Sequence, residues 1–315
     1  MISVVIPLFN KSAAIGRAVA SVRAQTVTGW ELVVVDDGST DDSAEQVAAI
    51  ADPRIRLVRQ SNAGVSAARN RGIAETSGEV IAFLDGDDWW EDGHLAEFER
   101  LTARFPDAAM YSTAFAMDDG GRRKVVSLAG HSEDSLRMVE DYFSKAAQTE
   151  PPVNSSCVAL RRRCIEAIGG FPEGIHAGED LITWARLVCL GGLAYSPRVT
   201  SSYRPPPLGE NERLAFIARR IPQKSDYVGA ELALLARRHP AHNRAIHQYL
   251  AQWHRMRTTL FLELGLRLPT WSELARAVGR DRLRIRDAAT LVLSCLPVAL
   301  SRTVLNRIRR RSQGQ

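Results

Sequence analysis

Residues 80–84, Val-Ile-Ala-Phe-Leu, form an unbroken apolar run that ends on Asp85-Gly86-Asp87-Asp88-Trp89-Trp90. Three of the five are β-branched or aromatic, the pattern of a strand buried on both faces. Two earlier runs have the same build. Ile2 to Ile6 closes on Pro7, and Glu31-Leu32-Val33-Val34-Val35 closes on Asp36-Asp37-Gly38-Ser39. Helical spacing follows each, first through Ile15, Val19 and Val22, then through Ala44, Val47, Ala48 and Ile50 with Thr40 or Asp41 as cap. Strand, turn and helix repeated in this way fold as an open α/β sheet flanked by helices, and such sheets bind ligands beyond the carboxyl ends of their strands. The acids stand there.

Three carboxylates within four positions repel one another unless a cation lies among them, and hard oxygen ligands suit Mg²⁺ or Mn²⁺. Asp85 and Asp87 are therefore the expected metal ligands, with Gly86 turning the chain so that both face one volume. The competing reading is an acidic turn that caps the next helix, and position at a strand end favours the functional one. Capping accounts for Asp41 but leaves Asp36 and Asp37 without a structural task, so Asp37 is a candidate to accept hydrogen bonds from a nucleoside. A third strand, Ile55 to Val58, leads to Asn62-Ala63-Gly64 and a helix to Thr76 with Val65, Ala68, Gly72 and Ile73 as its apolar stripe. Arg69 lies beside that stripe, partly shielded, and needs an anion: Asp85, Asp36 or a substrate phosphate. No G-x-G-x-x-G follows the first strand, which excludes a dinucleotide fingerprint.

Farther along, a helix is expected from about His94 to Phe105, an apolar segment over 108–116, a hairpin turn at 118–121 and a helix near 135–146. A short strand over 157–160 precedes Arg161-Arg162-Arg163, read as a solvated helix start. Residues 169–174 read as a mobile loop. Gly178-Glu179-Asp180 then opens a helix with Leu181, Trp184, Ala185, Leu187 and Val188. Acids in a first helical turn meet the helix dipole favourably, and the same amides favour the deprotonated carboxylate that a base must be; the two readings stand level.

Taken together, PLFNK, VVVDDGSTDDS, NAGVSAARNRGIAETSGEVIAFLDGDD, GGFPE and GEDLITWARL resemble family 2 glycosyltransferases of the nucleotide-sugar-dependent GT-A type, over roughly residues 1–205. The resemblance implies a GT-A fold, with a mixed, mostly parallel sheet in a catalytic domain of residues 1–207. Its donor-binding half is expected at about 1–105 and its acceptor half at 106–207; beyond it Leu214, Ile217 and Ile221, then Leu232 and Leu235, stand at helix spacing, so 208–315 is expected as a helical C-terminal region. It implies donor contacts from Pro7, Asn10, Asp36, Asp37, Arg69, Asp85 and Gly86, a metal, Mg²⁺ or Mn²⁺, on Asp85 and Asp87, Asp180 as general base, and Glu179 and Trp184 on the acceptor side. One feature departs from the family: Tyr203-Arg204 is followed by Pro205-Pro206-Pro207 and not, within a few residues, by a His. The implied reaction moves a sugar from a nucleotide diphosphate sugar, most simply a UDP-sugar, to a hydroxyl of a glycan or lipid-linked acceptor in surface polysaccharide synthesis. One base and displacement from the opposite face imply inversion at the anomeric carbon. The alternatives are a non-catalytic nucleotide-sugar-binding module and a nucleotidyltransferase; the second would carry a basic Gly-rich loop after the first strand, absent from PLFNK.

Charge divides the chain. Residues 1–207 hold 21 basic and 28 acidic side chains and residues 208–315 hold 20 and 8, so −7 stands against +12. A basic third suits nucleic acid, an anionic membrane or an acidic partner. No nucleic-acid-binding module is recognisable, so nucleic acid is not expected. Apolar and cationic residues mix from Leu291 to Arg311, as in segments that lie on anionic membranes, while a helix packed on the catalytic domain is the alternative. Residues 288–301 are uncharged but interrupted by Pro297, short of the ~20 apolar residues of a spanning helix. Without a basic leader or cleavable apolar stretch, the expected location is the cytoplasm, at most peripheral to the membrane's inner face. Cys157, Cys164, Cys189 and Cys295 lack C-x-x-C spacing and are expected as reduced core thiols.

Overall fold

The computed structural model describes residues 1–118, 121–128, 135–148, 152–205, 210–220 and 225–312. The chain divides into two compact units, residues 1–145 with 149–207 and residues 146–148 with 208–315. In the first unit the order is β1 (Ile2–Leu8), α1 (Ile15–Arg23), β2 (Trp30–Asp36), α2 (Ser43–Ala48), β3 (Ile55–Arg59), α3 (Val65–Glu75), β4 (Val80–Phe83), β5 (Trp89–Trp90) and α4 (His94–Arg104). Then come β6 (Met110–Asp118), β7 (Arg123–Val126), β8 (Arg137–Met138), α5 (Tyr142–Ala146), β9 (Val158–Arg161), α6 (Arg162–Ala167), α7 (Glu179–Gly191) and β10 (Leu193–Tyr203).

The strands form one sheet in the order β3-β2-β1-β4-β9-β6-β10-β5, with β7 on β6 and β8 on β10. β1 to β4 run parallel, β9 is antiparallel to both its neighbours, and β6 and β10 are parallel. This is the mixed, mostly parallel α/β sheet that the apolar runs predict. Even-numbered β1 residues pack with α1 and α4 in the main core, while Val33 and Val35 of β2 meet Ala68 of α3 on the other face. Gly72 lets α3 approach β1: a Cβ there would lie 2.3 Å from a methyl of Val5. β1 extends through Pro7 to Leu8, one turn of pleat past the expected end, because its pairing with β4 stops at Val5 and the missing N–H falls beyond that ladder.

Several expectations are corrected. Residues 135–141 are not helical: β8 occupies Arg137–Met138 and the helix begins only at Tyr142. The hairpin near 118–121 exists as the β6–β7 pair, with Asp118 opposite Arg123, although residues 119 and 120 lie outside the described residues. Arg162 is no solvated helix start, since its guanidinium donates to Gly78 O, Ile73 O and Thr76 Oγ1 and ties α6 to the end of α3. The loop 169–174 is anchored where mobility was expected: Phe171 is buried, and the Asn70 side chain both donates to its carbonyl and accepts from its N–H, at 2.9 and 2.8 Å. Gly170 beside it has φ +80°, and a Cβ would lie 2.6 Å from Asn70 Oδ1, so only glycine fits without strain. All four cysteines are free, but Cys295 is exposed and only Cys157 and Cys164 are fully buried.

The second unit is helical: α8 (Glu210–Arg220), α9 (Tyr227–Arg238), α10 (Asn243–Leu264), α11 (Arg267–Val278), α12 (Ile285–Cys295) and α13 (Val298–Ser312). α10 is its axis, burying Ile246, Leu250, Trp253, Phe261 and Leu262. Arg255 of α10 pairs with Asp281 and Asp287 at 2.9 and 3.0 Å, which fixes the α11–α12 connection. Among the described residues no helix is long and apolar enough to cross a membrane.

Candidate active site

β1 is flanked by β2 and β4, with Leu8 level with Asp36 and Val5 level with Phe83. The acids after β2 and those after β4 therefore emerge at one sheet end, two strand spacings or about 10 Å apart. The PLFNK turn after β1 lies between them. Its Asn10 takes φ +52°, unusual outside glycine, and its side-chain oxygen accepts the Thr40 N–H at 2.8 Å while its own N–H donates to Ser39 Oγ. Lys11 links α2 to the acids after β4, its N–H donating to Ser43 Oγ and its ammonium paired with Asp87.

Asp36 and Asp37 have structural tasks that local pattern did not disclose. Asp36 accepts the Ser39 N–H at 3.0 Å. Asp37 is 3% exposed and takes three hydrogen bonds, from Gln60 Nε2, Ala63 N and Gly64 N, which fold the start of α3 onto the end of β2.

The three acids after β4 differ in surroundings. Asp85 and Asp87 are each about one-third exposed, 36% and 34%, whereas Asp88 is buried and accepts from Ser156 Oγ at 2.6 Å and from Arg204 N at 3.3 Å. Burial first, then the nearby Asp85, pushes the Asp88 carboxyl well above its ordinary range. Ser156 also accepts the Asp85 N–H at 3.0 Å, so one hydroxyl sets the relation of the first acid to the third. Gly86 has no positive φ, and a Cβ would stand at ordinary contact, 3.6 Å, from Leu8, Lys11 and Pro7 O. The expectation that glycine makes this turn is corrected: Ser156 and the Asp88 N–H bonded to Asp85 O make it. Trp90 anchors the far side through Nε1 to Ser156 O, and Arg17 lies 3.9 Å over the Trp89 ring while donating to Asp87 O.

Arg69 joins the sheet end to α7. Its side chain is 3% exposed and reaches Asp85 Oδ1 at 3.0 Å and Glu179 Oε1 at 3.3 Å. Burial pulls its pKa down, but Asp85, Glu179 and Asp180 together push it up further, and the net shift is upward. Asp180 thus shares the neighbourhood of the β4 acids. It is half-buried, with Oδ1 on the Leu181 N–H at 2.8 Å. Trp184 is fully buried against Phe171, ring centroids 5.8 Å apart, and packs there.

Pattern reading missed Lys11, Arg17, Ser156 and Arg204. Lys11 lies inside PLFNK and could have been weighed; the others act across at least 66 residues of sequence. For a divalent cation, the donor set fits. Asp85 and Asp87 are hard-oxygen groups about one-third exposed, and each already attracts a positive partner, Arg69 and Lys11.

The family model Glycosyl transferase family 2 matches residues 3–169. The uncharacterized glycosyltransferase alr2836 of Nostoc sp. is 35% identical over 180 residues, 54% of this chain and 53% of that protein. EpsH of Bacillus subtilis is 32% identical over 169 residues, 53% of this chain and 48% of the relative. The chain thus spans about half the length of these curated relatives. Among solved structures, S. aureus TarS 1–349 in complex with UDP-GlcNAc superposes with a TM-score of 0.71 at 17% identity, covering 100% of this chain and 92% of that one. The mannosyltransferase PcManGT of Pyrobaculum calidifontis, in complex with GDP-Man and Mn²⁺, gives 0.58 at 20% identity, over 96% and 83%. Both likenesses show the fold.

Proposed function

The chain belongs to glycosyl transferase family 2, and from that premise we propose that it moves a sugar, with inversion, from a nucleotide diphosphate sugar to a hydroxyl of a glycan or lipid-linked acceptor in polysaccharide synthesis. The observation that carries the reading is Arg69, which ties Asp85 at the end of β4 to Glu179 beside Asp180, so that one metal-ligand candidate and the base candidate border one buried cation. The donor's base and ribose lie over the turn that Asp36 and Asp37 organise, next to Pro7 and Asn10. Lys11 and Arg17 supply positive charge on the side where the diphosphate leaves. Asp85 and Asp87 would hold a divalent ion, which would add charge neutralisation at that leaving group.

Asp180 takes the proton of the acceptor hydroxyl as that oxygen bonds to the anomeric carbon and the bond to the diphosphate breaks. A single base across from the departing group gives inversion, through a transition state of oxocarbenium character. UDP-GlcNAc and GDP-Man in the two structural neighbours support the donor class and leave the base open between them. Calorimetric titration with UDP- and GDP-sugars, with and without Mn²⁺, tests the reading. Metal-strengthened binding of one of them, weakened in Asp87→Ala, is expected; no binding of any nucleotide sugar overturns it.

The same reading includes contact with an anionic membrane through the second unit. Ile285 and Val292, one face of α12, are 92% and 64% exposed beside a strongly basic chain segment. Flotation with anionic vesicles, lost on Ile285→Asp with Val292→Asp, is expected; equal flotation of both proteins rejects the membrane contact.

A further inference from the structure

The helical unit contains a cavity of its own, about 580 Å³, walled by α9, α10 and α11, a volume typical of small-ligand sites. Arg257 of α10 is its most informative wall. The residue is 3% exposed, and its guanidinium lies 5.8 Å from the Trp253 ring centroid and 5.1 Å from that of Phe261. Nε comes within 3.3 Å of Glu273 Oε1 but is misaligned and makes no hydrogen bond. Among the described residues nothing accepts a hydrogen bond from this guanidinium. Its Nε–H is a buried donor without a partner, and a buried cation left so is costly, so such groups are ordinarily matched by an anion.

The nearby carboxylates are already committed. Asp226 Oδ1 accepts the Gly229 N–H and Trp253 Nε1 at 2.9 and 2.8 Å, capping α9. Glu273 places Oε2 at 2.7 Å from His254 Nδ1 and accepts Arg276 at Oε1, 3.1 Å. Arg280 also lines the cavity, exposed, donating one N–H to Arg276 O. Two carboxylates therefore face three guanidiniums. Asp226, His254 and Glu273 do bring ligand atoms within 4.8 Å of one another, as a metal site would. Arg257 and Arg276 at Glu273 repel a divalent ion there, and the α9 cap occupies one Asp226 oxygen.

We propose that this cavity binds a phosphate group, held by Arg257 with Arg276 and Arg280 and assisted by the Ser225 and Ser272 hydroxyls. Three guanidiniums offer more donors than the two oxygens of a carboxylate accept, and a guanidinium fork matches phosphate oxygens. Leu268 and Pro269 in the wall leave an apolar surface for the ester portion, whether a soluble phosphate ester or a lipid headgroup. The inference does not depend on the activity of the first unit.

The test is calorimetry on the full chain with inorganic phosphate and glycerol 3-phosphate, and flotation with phosphatidylcholine vesicles with and without phosphatidic acid. Saturable phosphate binding is expected, weakened by about tenfold or more in Arg257→Gln. Arg280→Gln, at an exposed position that leaves folding intact, is expected to weaken it in the same direction by less. Glycerol 3-phosphate binding without flotation identifies a soluble ester; flotation that requires both phosphatidic acid and Arg257 identifies a headgroup. Absence of phosphate binding, wild-type binding in both variants, or Zn²⁺ binding lost in His254→Asn in a protein that ignores phosphate would each overturn the proposal.

Discussion

Each unit buries an arginine to 3% exposure with its Nε unpartnered, and the two differ at their terminal nitrogens. Arg69 divides its donors between Asp85 and Glu179, one carboxylate for each terminal nitrogen. Arg257 approaches one carboxylate that Arg276 and His254 already occupy, and donates no hydrogen bond to it. The first unit is acidic and spends its arginine holding carboxylates together; the second is basic and is left with a cation to spare. Burial alone thus says little about an arginine's role until its partners are counted.

The largest effect that would sharpen this contrast is on catalysis. Asp180→Asn keeps size and shape near Arg69 but cannot accept a proton, and a loss of about 10²- to 10⁴-fold in kcat is expected. Single-turnover sugar transfer at unchanged donor affinity measures it, and wild-type turnover removes Asp180 from the role of base. On stability, Arg69→Gln strands Asp85 and Glu179 and should cost about 3–5 kcal/mol in urea denaturation. Arg257→Gln should cost only about 1–2 kcal/mol, because Glu273 keeps His254 and Arg276. Equal losses would break the comparison.

A pH effect comes next and belongs to the first unit. His94 is fully buried, stacked 4.3 Å from Trp90 and bonded through Nδ1 to Thr200, and burial drives its pKa down to about 3. The unfolded chain takes up this proton near the ordinary value of about 6.5. The neutral ring's contribution is thus complete above that pH and is lost as pH falls toward 3, at up to about 1.4 kcal/mol per pH unit. Urea titrations at pH 7 and pH 5 should show the loss in wild type and a smaller one in His94→Gln; parallel behaviour rules out His94 as the source. The smallest effect concerns the turn after β4. Gly86→Ala should change stability by no more than about 0.5 kcal/mol, whereas Gly170→Ala, with positive φ and a collision at Asn70, should cost about 1–3 kcal/mol. A thermal melt of each variant distinguishes them.

What the amino-acid order determined was the part governed by neighbours in sequence. The apolar runs at 2–6, 31–35 and 80–84 became β1, β2 and β4, and the spacing of Ile15, Val19 and Val22 became the buried face of α1. Strand ends carrying acids were legible for the same reason, since a parallel sheet delivers every strand's carboxyl end to one edge. Residues 135–141 misled because helical spacing over a few residues is weak beside the pairing that β10 offers Arg137 and Met138.

Only the tertiary structure decided what each acid touches. Asp37 is saturated by amides 26 and 27 residues away, Asp88 is buried under Ser156 and the Arg204 N–H, and Arg69 spans 110 residues to Glu179. Trp184 turned inward although the candidate base stands in the first turn of its helix. Hydrophobic periodicity is a local property and fixes which face of an element is buried. Hydrogen bonds and ion pairs are made between atoms a few ångströms apart in space, and the separation of their residues along the chain leaves no trace in local pattern.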